Sequence, residues 1–238
     1  MVARRLLVPI LGPMIDEGRR RSRSRVLERL VPSFVVTAEA TGDLLDVELF
    51  AAEREIVARA VEKRRREFTT GRGLARDALG RLGVPAGAIG SGSHGEPLWP
   101  EGVVGSITHC DGFRACAVAR STRALGIGID AEPDRPLPAG VVEDVVHGRE
   151  RALLDCDLGV DPGRLLFSAK EAVYKAWFPL TGRWLGFDDA EVSVDAGART
   201  FRAVLRVDGT PLRTFAGRWT VERGTVCTAV VVPRQTAL

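Results

Sequence analysis

Segments with helical character followed by segments with strand character occur twice along the chain, and this repetition limits the folds that it can adopt. Helical segments come first, and segments with strand character follow them. In the first half, the composition predicts helices over 44–67 and 74–82. Two short apolar stretches, 103–107 and 115–119, then predict strands that flank a turn.

The second half repeats this order. Gly126–Asp130 is an almost wholly apolar stretch and predicts a buried strand. A helix is predicted over Gly163–Trp177, ended by Pro179. From Ala190 onward, polar and apolar residues alternate as in antiparallel strands. The repeated order predicts an α+β fold with two similar lobes.

The composition is that of an ordinary globular protein. The chain has 238 residues, 45% of them hydrophobic and 27% charged, which fits one large domain or two small ones. Its four cysteines have neither disulfide-framework nor metal-site spacing and predict reduced thiols. The apolar stretch 6–15 contains prolines and is too short for a membrane helix, and arginines follow it instead of a signal-peptide cleavage site. We therefore expect a cytoplasmic protein with no membrane partner.

Charge is distributed unevenly. Residues 1–29 hold eight arginines against three acidic residues, whereas the rest of the chain is slightly acidic. Such an arm is compatible with binding to nucleic acid. An unstructured leader is the favoured interpretation. The prediction is an N-terminal arm over 1–30 that lies outside both lobes.

Two motifs indicate chemistry. Asp130 and Glu132 are two residues apart at the end of an apolar strand, so their side chains share one face. Glu171, Tyr174 and Lys175 have the spacing of neighbours on one helix face. Three carboxylates without a cysteine or histidine partner suit Mg²⁺, which takes oxygen ligands and often a substrate phosphate. Together the motifs indicate phosphoryl chemistry, although the first alone is more often a solvated strand end and the second alone is more often a surface ion pair.

Five sequence motifs, which occur in the same order as in the family, resemble those of the 4′-phosphopantetheinyl transferases. The resemblance is to the larger single-chain type, which activates surfactin and enterobactin synthases, and in particular to its actinobacterial members. The resemblance covers about residues 53–232, and its words are KRRREFTTGR (63–72), GEPLWP (95–100), GSITHC (105–110), GIDAEP (128–133) and FSAKEAVYKAWFPLTGRWLGF (167–187). Such enzymes transfer the phosphopantetheine arm of coenzyme A to a serine of an apo acyl or peptidyl carrier protein. Adenosine 3′,5′-bisphosphate is released. Carriers of fatty acid, polyketide and nonribosomal peptide synthesis are all implied partners.

The resemblance also implies an architecture. Family members are pseudo-dimers of two α/β lobes with antiparallel sheets, and the coenzyme A cleft lies between the lobes. In this chain the implied N-terminal lobe is 31–123 and the C-terminal lobe, with the metal site, is 124–238. The boundary is expected within 119–126. A monomer is implied, because the pseudo-dimer is internal.

Roles in catalysis follow from the resemblance, residue by residue. Asp130, Glu132 and Glu171 correspond to the magnesium ligands. Glu171 also corresponds to the general base, acting directly or through a water molecule. Lys175 is expected to stabilise charge on the diphosphate, with Lys170 assisting it.

Coenzyme A contacts are implied in the N-terminal half. Arg64 and Arg72 correspond to residues that hold the 3′-phosphate, for which the bidentate guanidinium is suited. His94 stands where many relatives have lysine, which replaces a fixed charge with a group that is mostly neutral at pH 7. The other expected contacts form an adenine loop and a phosphate-binding pair: Gly95, Glu96, Pro97, Thr108 and His109.

Two other classes of protein remain open from the residues. A magnesium-dependent phosphohydrolase would use the same carboxylates without a protein acceptor. A nucleic-acid-binding protein would use the basic residues of 19–29 and 63–66, but this alternative leaves the carboxylate motifs unexplained. Phe167, Tyr174 and Trp184 are expected either to line a pantetheine channel or to pack in the core.

Overall fold

A computed structural model of the protein describes residues 25–234. Most of the arm predicted over 1–30 lies outside the described residues. The first lobe contains, in chain order, β1 (Val36–Ala40), α1 (Ala51–Ile56), α2 (Glu62–Arg81), β2 (Gly90–Ser91), β3 (Pro97–Leu98), β4 (Val103–Cys110) and β5 (Phe113–Arg120). The second contains β6 (Ala124–Pro133), α3 (Ala139–Val145), a 3-10 segment (Gly148–Asp155), α4 (Pro162–Thr181), β7 (Ala190–Asp195), β8 (Thr200–Leu205), β9 (Thr214–Glu222) and β10 (Thr225–Pro233).

Each lobe packs one long helix against one antiparallel sheet. The first sheet has the strand order β1-β5-β4 and is covered by α2. The second has the order β6-β10-β9-β8-β7, and α4 covers β6 and β10. α2 and α4 each have 20 residues. The predicted α+β fold with two similar lobes is confirmed.

The two lobes meet where β4 lies alongside β6. The hydroxyl oxygens of Ser106 and Thr108 accept hydrogen bonds from the backbone N–H groups of Ile129 and Ala131, at 3.2 and 3.1 Å. Side-chain hydroxyls of β4 thus satisfy backbone N–H groups at the edge of β6, which in a continuous sheet would pair with backbone carbonyl oxygens. A shared apolar cluster, which includes Ile129, stabilises this junction.

Two glycines bring α4 directly onto β6. A Cβ atom at Gly128 would lie 1.8 Å from the carbonyl oxygen of Ala172, and one at Gly126 would lie 2.4 Å from that of Ala176. No side chain fits at either position. Gly126, Gly128, Asp130 and Glu132 alternate along the strand and therefore share one face. The close approach consequently places α4 beside the two carboxylates.

The ends of α4 follow from local chemistry. The Asp161 carboxylate accepts the N–H of Arg164 at 2.7 Å, which caps the first turn, and Pro162 is the first helical residue. The helix ends at Gly182, which has a left-handed φ of +63°. Contrary to the prediction, Pro179 lies inside the last turn of the helix, and the helix ends three residues later at Gly182.

The helices of the first half also differ from the prediction. α2 runs unbroken from Glu62 to Arg81, and the break lies over 57–61 instead of after 67. Gly73 has a packing role inside α2, since a Cβ there would lie 2.5 Å from Val47 Cγ2. Glycine here marks close packing and not a helix end.

The last residues of the arm predicted over 1–30 do not lie outside the lobes. Val26, Leu27 and Leu30 are buried in the cluster that both lobes share. The Glu39 carboxylate accepts the N–H groups of Val26 and Leu27 at 2.9 and 2.7 Å. Residues 25–30 are therefore part of the folded protein, because they bury apolar side chains and have their amides satisfied. Among the described residues, no helix has the length and hydropathy needed to cross a membrane.

Candidate active site

A cavity of about 290 Å³ lies between the lobes, where α2, β4, β6 and α4 meet. It brings together ten of the predicted site residues from distant parts of the sequence. They are Arg64, Arg72, Gly95, Pro97, Thr108, His109, Asp130, Glu132, Glu171 and Lys175. His94, Glu96 and Lys170 do not line it.

Asp130 is the most buried carboxylate of the cavity, with 4% of its surface exposed. Its Oδ1 atom accepts hydrogen bonds from Lys175 Nζ at 2.6 Å and Thr108 Oγ1 at 3.3 Å. Its Oδ2 atom is buried and has no hydrogen-bond partner among the described residues. A buried carboxylate oxygen without a partner is costly. This oxygen is therefore a fitting ligand for a cation.

Glu132 forms an ion pair with the side chain of Arg164. Arg164 NH1 lies 2.9 Å from Glu132 Oε2, and the same guanidinium donates to the carbonyl oxygens of Arg135 and Pro136. Burial, and then the charge of Asp130, raise the pKa of Glu132, while Arg164 opposes them. Across 25–234, no three His, Cys, Asp or Glu side chains form a ready metal-binding group. The pairing of Glu132 with Arg164 accords with this result.

Glu171 and Lys175 lie one turn apart on α4, and both face the cavity. Burial raises the pKa of Glu171, an effect that Lys175 opposes and Asp130 reinforces. For Lys175, burial lowers the pKa, but the carboxylates of Asp130, Glu171 and Glu132 outweigh it and raise the pKa overall. Lys175 is thus a firmly charged ammonium among three carboxylates.

Arg64 and His109 form the opposite wall. Arg64 NH1 lies 2.9 Å from His109 Nε2, and His109 Nδ1 lies 3.5 Å from a carboxylate oxygen of Glu67. Burial lowers the pKa of His109, although Glu67 opposes this effect. A neutral imidazole that accepts from Arg64 fits both distances. The pair presents one exposed guanidinium to the cavity.

Besides the predicted phosphate contact, Arg72 makes hydrogen bonds within its own lobe. Its guanidinium donates to the carbonyl oxygens of Ile89 and Gly90 and to Ser91 Oγ, at 2.9, 3.0 and 3.0 Å. It also lies 4.2 Å from the centre of the Phe68 ring. Burial lowers the pKa of Arg72 to about 10. Arg72 therefore holds residues 89–91, which precede the expected adenine loop, and Arg72 also lines the cavity.

The expected adenine loop is tightly folded. Gly95 has a φ of +84°, a conformation that favours glycine. The Glu96 carboxylate accepts the N–H of His94 at 2.9 Å and therefore lies within its own loop. The His94 ring reaches across to the other lobe and contacts the Phe178 ring, with 5.0 Å between centroids. Neither side chain extends into the cavity.

Lys170 is the predicted catalytic residue that the structure does not bring to the cavity. Its ammonium is buried, and it donates to Glu150 Oε2 and to the carbonyl oxygens of Val145 and Phe187, at 2.8, 2.7 and 2.7 Å. An ammonium has three protons, and these contacts use all of them. The expectation that Lys170 assists at the diphosphate is corrected accordingly.

The three aromatic residues have different surroundings. Phe167 lines the cavity and contacts Phe187, with centroids 5.5 Å apart. Tyr174 lies between Phe178 and Trp184, at 5.6 and 5.2 Å. Trp184 is 71% exposed, which is incompatible with the core-packing alternative for that residue.

Sequence reasoning missed two charged residues at the site. Glu67 follows Arg64 by three positions on α2, so helical spacing would have placed both at the same face. Arg164 has no such signal, because it reaches Glu132 only after the start of α4 has packed beside the end of β6. Its role depends on tertiary contacts that no spacing encodes.

Comparisons with known proteins agree with this arrangement. Residues 52–119 match the family model of the 4′-phosphopantetheinyl transferase N-terminal domain, and residues 126–230 match that of the 4′-phosphopantetheinyl transferase superfamily. The chain is 47% identical to the 4′-phosphopantetheinyl transferase Npt of Nocardia iowensis, over 86% of this chain and 99% of that protein. It is 50% identical to Svp of Streptomyces mobaraensis, over 87% and 89%, and 48% identical to PptT of Mycobacterium tuberculosis, over 76% and 84%. The chain belongs to the 4′-phosphopantetheinyl transferase superfamily.

Proposed function

We propose that the protein transfers the 4′-phosphopantetheine group of coenzyme A to a serine of apo carrier proteins and releases adenosine 3′,5′-bisphosphate. The observation that carries this proposal is the cavity between the lobes, where carboxylates and Lys175 face Arg64 and His109. Relatives that share 47–50% identity with the chain are named 4′-phosphopantetheinyl transferases. Acyl and peptidyl carrier proteins are the partner class.

The two walls of the cavity suit the two ends of the substrate. Coenzyme A carries a 3′-phosphate at one end of its nucleotide and a diphosphate at the other. Arg64, with Arg72 behind it, provides guanidinium groups for the 3′-phosphate. Gly95 and Pro97 border the space for adenine. Lys175 on the opposite wall supplies positive charge for the diphosphate.

Magnesium fits the carboxylate wall. The buried Oδ2 atom of Asp130 has no hydrogen-bond partner among the described residues, and Glu171 lines the same cavity. Carboxylate oxygens are the ligands that Mg²⁺ prefers. Asp130 and Glu171 would hold the ion, joined by Glu132 once its carboxylate leaves Arg164. Bound there, the ion would neutralise charge on the diphosphate.

The residues of the chain account for the transfer itself. Glu171 takes the proton of the acceptor serine, whose oxygen forms a bond to the β-phosphorus as the bond to the departing nucleotide phosphate breaks. Burial raises the pKa of Glu171, whereas a bound Mg²⁺ would lower it, so the transfer depends more on positioning and electrostatic stabilisation than on the strength of this base. The Lys175 ammonium stabilises the charge that grows on the leaving phosphate. Thr108 and Lys175 together fix Asp130 through its Oδ1 atom.

Finer properties belong to the same proposal. We place the enzyme in the cytoplasm, as a monomer that has neither nucleic acid nor membrane as a partner. Cys110, Cys116 and Cys227 are buried free thiols, which suits a reducing compartment. Carriers of fatty acid, polyketide and nonribosomal peptide synthesis are candidate substrates.

The test is intact-mass spectrometry of an apo carrier protein incubated with the enzyme, coenzyme A and Mg²⁺. The expected result is a gain of one phosphopantetheine, which disappears when a chelator is added. Carriers from fatty acid, polyketide and peptide synthesis are compared in parallel. Hydrolysis of phosphate esters without any mass gain on these carriers would identify a phosphohydrolase and overturn the proposal.

A further inference from the structure

The C-terminal lobe contains a buried ion pair that the proposed reaction does not use. Lys170 Nζ and Glu150 Oε2 are 2.8 Å apart, and their side chains are 2% and 1% exposed. Removing two charges from water is costly, so such a pair persists only with good geometry and further hydrogen bonds. Both conditions are met here.

The pair joins several segments of the lobe. Lys170 on α4 also donates to the carbonyl oxygens of Val145, at the end of α3, and Phe187, in the loop after α4. The Glu150 carboxylate also accepts the N–H groups of His147 and Val192, at 3.0 and 2.7 Å. We call Lys170 and Glu150, with these contacts, the α4 clamp. Every polar group of the clamp has a partner.

The clamp lies next to the proposed general base in sequence but on another side of the helix. Successive residues of an α-helix are rotated by about 100°. Lys170 therefore points into the lobe while Glu171 faces the cavity. Because Lys170 holds α4 at this point, the clamp limits rotation of the helix about its axis. The orientation of Glu171 depends on that rotation.

The N-terminal lobe contains an ion pair of the same design. Glu53 is fully buried, accepts from Arg76 NH1 at 3.0 and 2.8 Å, and accepts the N–H groups of Phe50 and Ile89. Like Glu150, it is the third residue of a short helical segment and pairs with a cation on the long helix of its lobe. This pair has no catalytic carboxylate beside it. It is a matched control for the clamp.

We propose that Lys170 and Glu150 are positioning residues for phosphopantetheinyl transfer, which hold α4 in the rotation that aims Glu171 at the acceptor serine. The inference rests on the proposed function. It gives Lys170 a role through Glu171 and not through contact with a phosphate of coenzyme A. Phe187, which the clamp also holds, contacts Phe167 on the cavity wall, so the same pair fixes part of the cavity.

The test compares Lys170→Met and Glu150→Gln with the control Glu53→Gln. For each variant, kcat, the KM for coenzyme A and the melting temperature are measured with one apo carrier protein. Both clamp variants are expected to lower kcat about 10–100-fold, because a small misplacement of a reacting group has effects of that size. Their KM for coenzyme A is expected to stay within about twofold, since neither residue touches it.

The control separates positioning from general loss of stability. Glu53→Gln and Glu150→Gln each weaken a buried ion pair, and both are expected to lower the melting temperature by roughly 5–15 °C. Only Glu150→Gln is expected to lower kcat. An equal loss of kcat in Glu53→Gln would overturn the proposal in favour of plain destabilisation. A raised KM for coenzyme A in Lys170→Met, but not in Glu150→Gln, would overturn it in favour of a phosphate contact.

A measurement without turnover distinguishes this proposal from the proposed function. Hydrogen–deuterium exchange of amides over 170–178 is expected to increase in Glu150→Gln and to remain at the parent level in Glu53→Gln. If the parent protein modifies no carrier, the proposed function fails, while exchange still tests the clamp. Unchanged exchange in Glu150→Gln would overturn the clamp even in an active enzyme. Glu150→Gln keeps the side-chain volume, so it provides the test if Lys170→Met does not fold.

Discussion

The two lobes have the same scaffold and opposite chemistry. Each packs a 20-residue helix on an antiparallel sheet and holds it with a buried glutamate–cation pair. Yet the first lobe presents arginines to the cavity, and the second presents three carboxylates with Lys175. The shared scaffold therefore positions the cavity, and the side chains that line it differ between the lobes. We propose that the reaction depends on the few side chains of α2, β4, β6 and α4 that line this cavity.

The lobes also reach close helix–sheet contact by different means. In the second lobe the glycines are in the strand, where Gly128 lies under the Ala172 carbonyl of α4. In the first lobe they are in the helix, where a Cβ at Gly71 would lie 3.2 Å from Ile107 on β4. The strand glycines allow the closer approach. That approach brings α4 beside the carboxylates of β6.

The largest effect is expected from Asp130→Asn. The variant keeps the size of the side chain but removes the charge that Lys175 and the proposed Mg²⁺ require. Transfer is expected to fall by about 1,000-fold, the upper end of the losses seen when one key electrostatic group is removed. The melting temperature reports whether the fold persists. Transfer within tenfold of the parent would show that the carboxylate wall does not have the proposed role.

Gly128→Ala tests the close approach itself. The added Cβ would meet backbone 1.8 Å away, so α4 must move. We expect a loss of about 3 kcal/mol or more in the free energy of unfolding, at the upper end for overpacking, together with lower kcat.

Gly80→Ala is the matched control in the other long helix. A Cβ at Gly80 has nothing within 4 Å, so the substitution is expected to stabilise the protein by about 0.4–1 kcal/mol. Equal unfolding free energies for Gly80→Ala and Gly128→Ala would contradict the packing account.

Arg64→Ala tests the chemistry of the first lobe. Loss of one charged hydrogen bond to phosphate costs about 1.5–3 kcal/mol, so the KM for coenzyme A is expected to rise roughly 10–100-fold. The value of kcat is expected to change little, because Arg64 lies on the wall opposite Glu171. Steady-state kinetics measure both values. The neighbouring Arg65→Ala is the control, since Arg65 pairs with Glu62 at the surface and does not line the cavity.

The smallest effect is expected from deletion of residues 1–24, which should leave both transfer and melting temperature unchanged. Extending the deletion to residue 30 removes Val26, Leu27 and Leu30 from the shared core. Each buried aliphatic side chain contributes about 1.5–3 kcal/mol, so the longer deletion should lower the melting temperature markedly. Thermal unfolding of the two proteins checks this contrast. A large loss of transfer after the shorter deletion would assign the arginine-rich segment a role.

Local spacing predicted which charged side chains share a face where one element supplies the geometry. Asp130 and Glu132 share a strand face, and Glu171 and Lys175 share a helix face, as the sequence indicated. The fold class followed from the repeated order of helices and strands. Helix bounds were less predictable, because Gly73 fits inside α2 against Val47 and because α4 continues past Pro179 to Thr181.

Lys170 shows why the remaining assignments required the structure. Its spacing places it with Leu166, Val173 and Trp177 on the apolar face of α4, and all four are buried. This apolar stripe can be read from the sequence and is typical of an inward-facing residue, although Lys170 was predicted to lie at the diphosphate. The partner Glu150 was not visible, since it lies 20 positions away on another element. Charge pairing across a core depends on tertiary packing.

The proposed transfer, with Glu171 as its general base, is tested by the rate at which an apo carrier protein gains phosphopantetheine, measured by intact mass for the parent and for Glu171→Gln. Both proteins receive the same coenzyme A and Mg²⁺, and their melting curves establish that both are folded. The account predicts complete conversion by the parent and a rate about 100–10,000-fold lower for the variant, the range for loss of a general base. A carrier that stays at its apo mass with the parent, or a variant that converts it at the parent rate, would contradict the account.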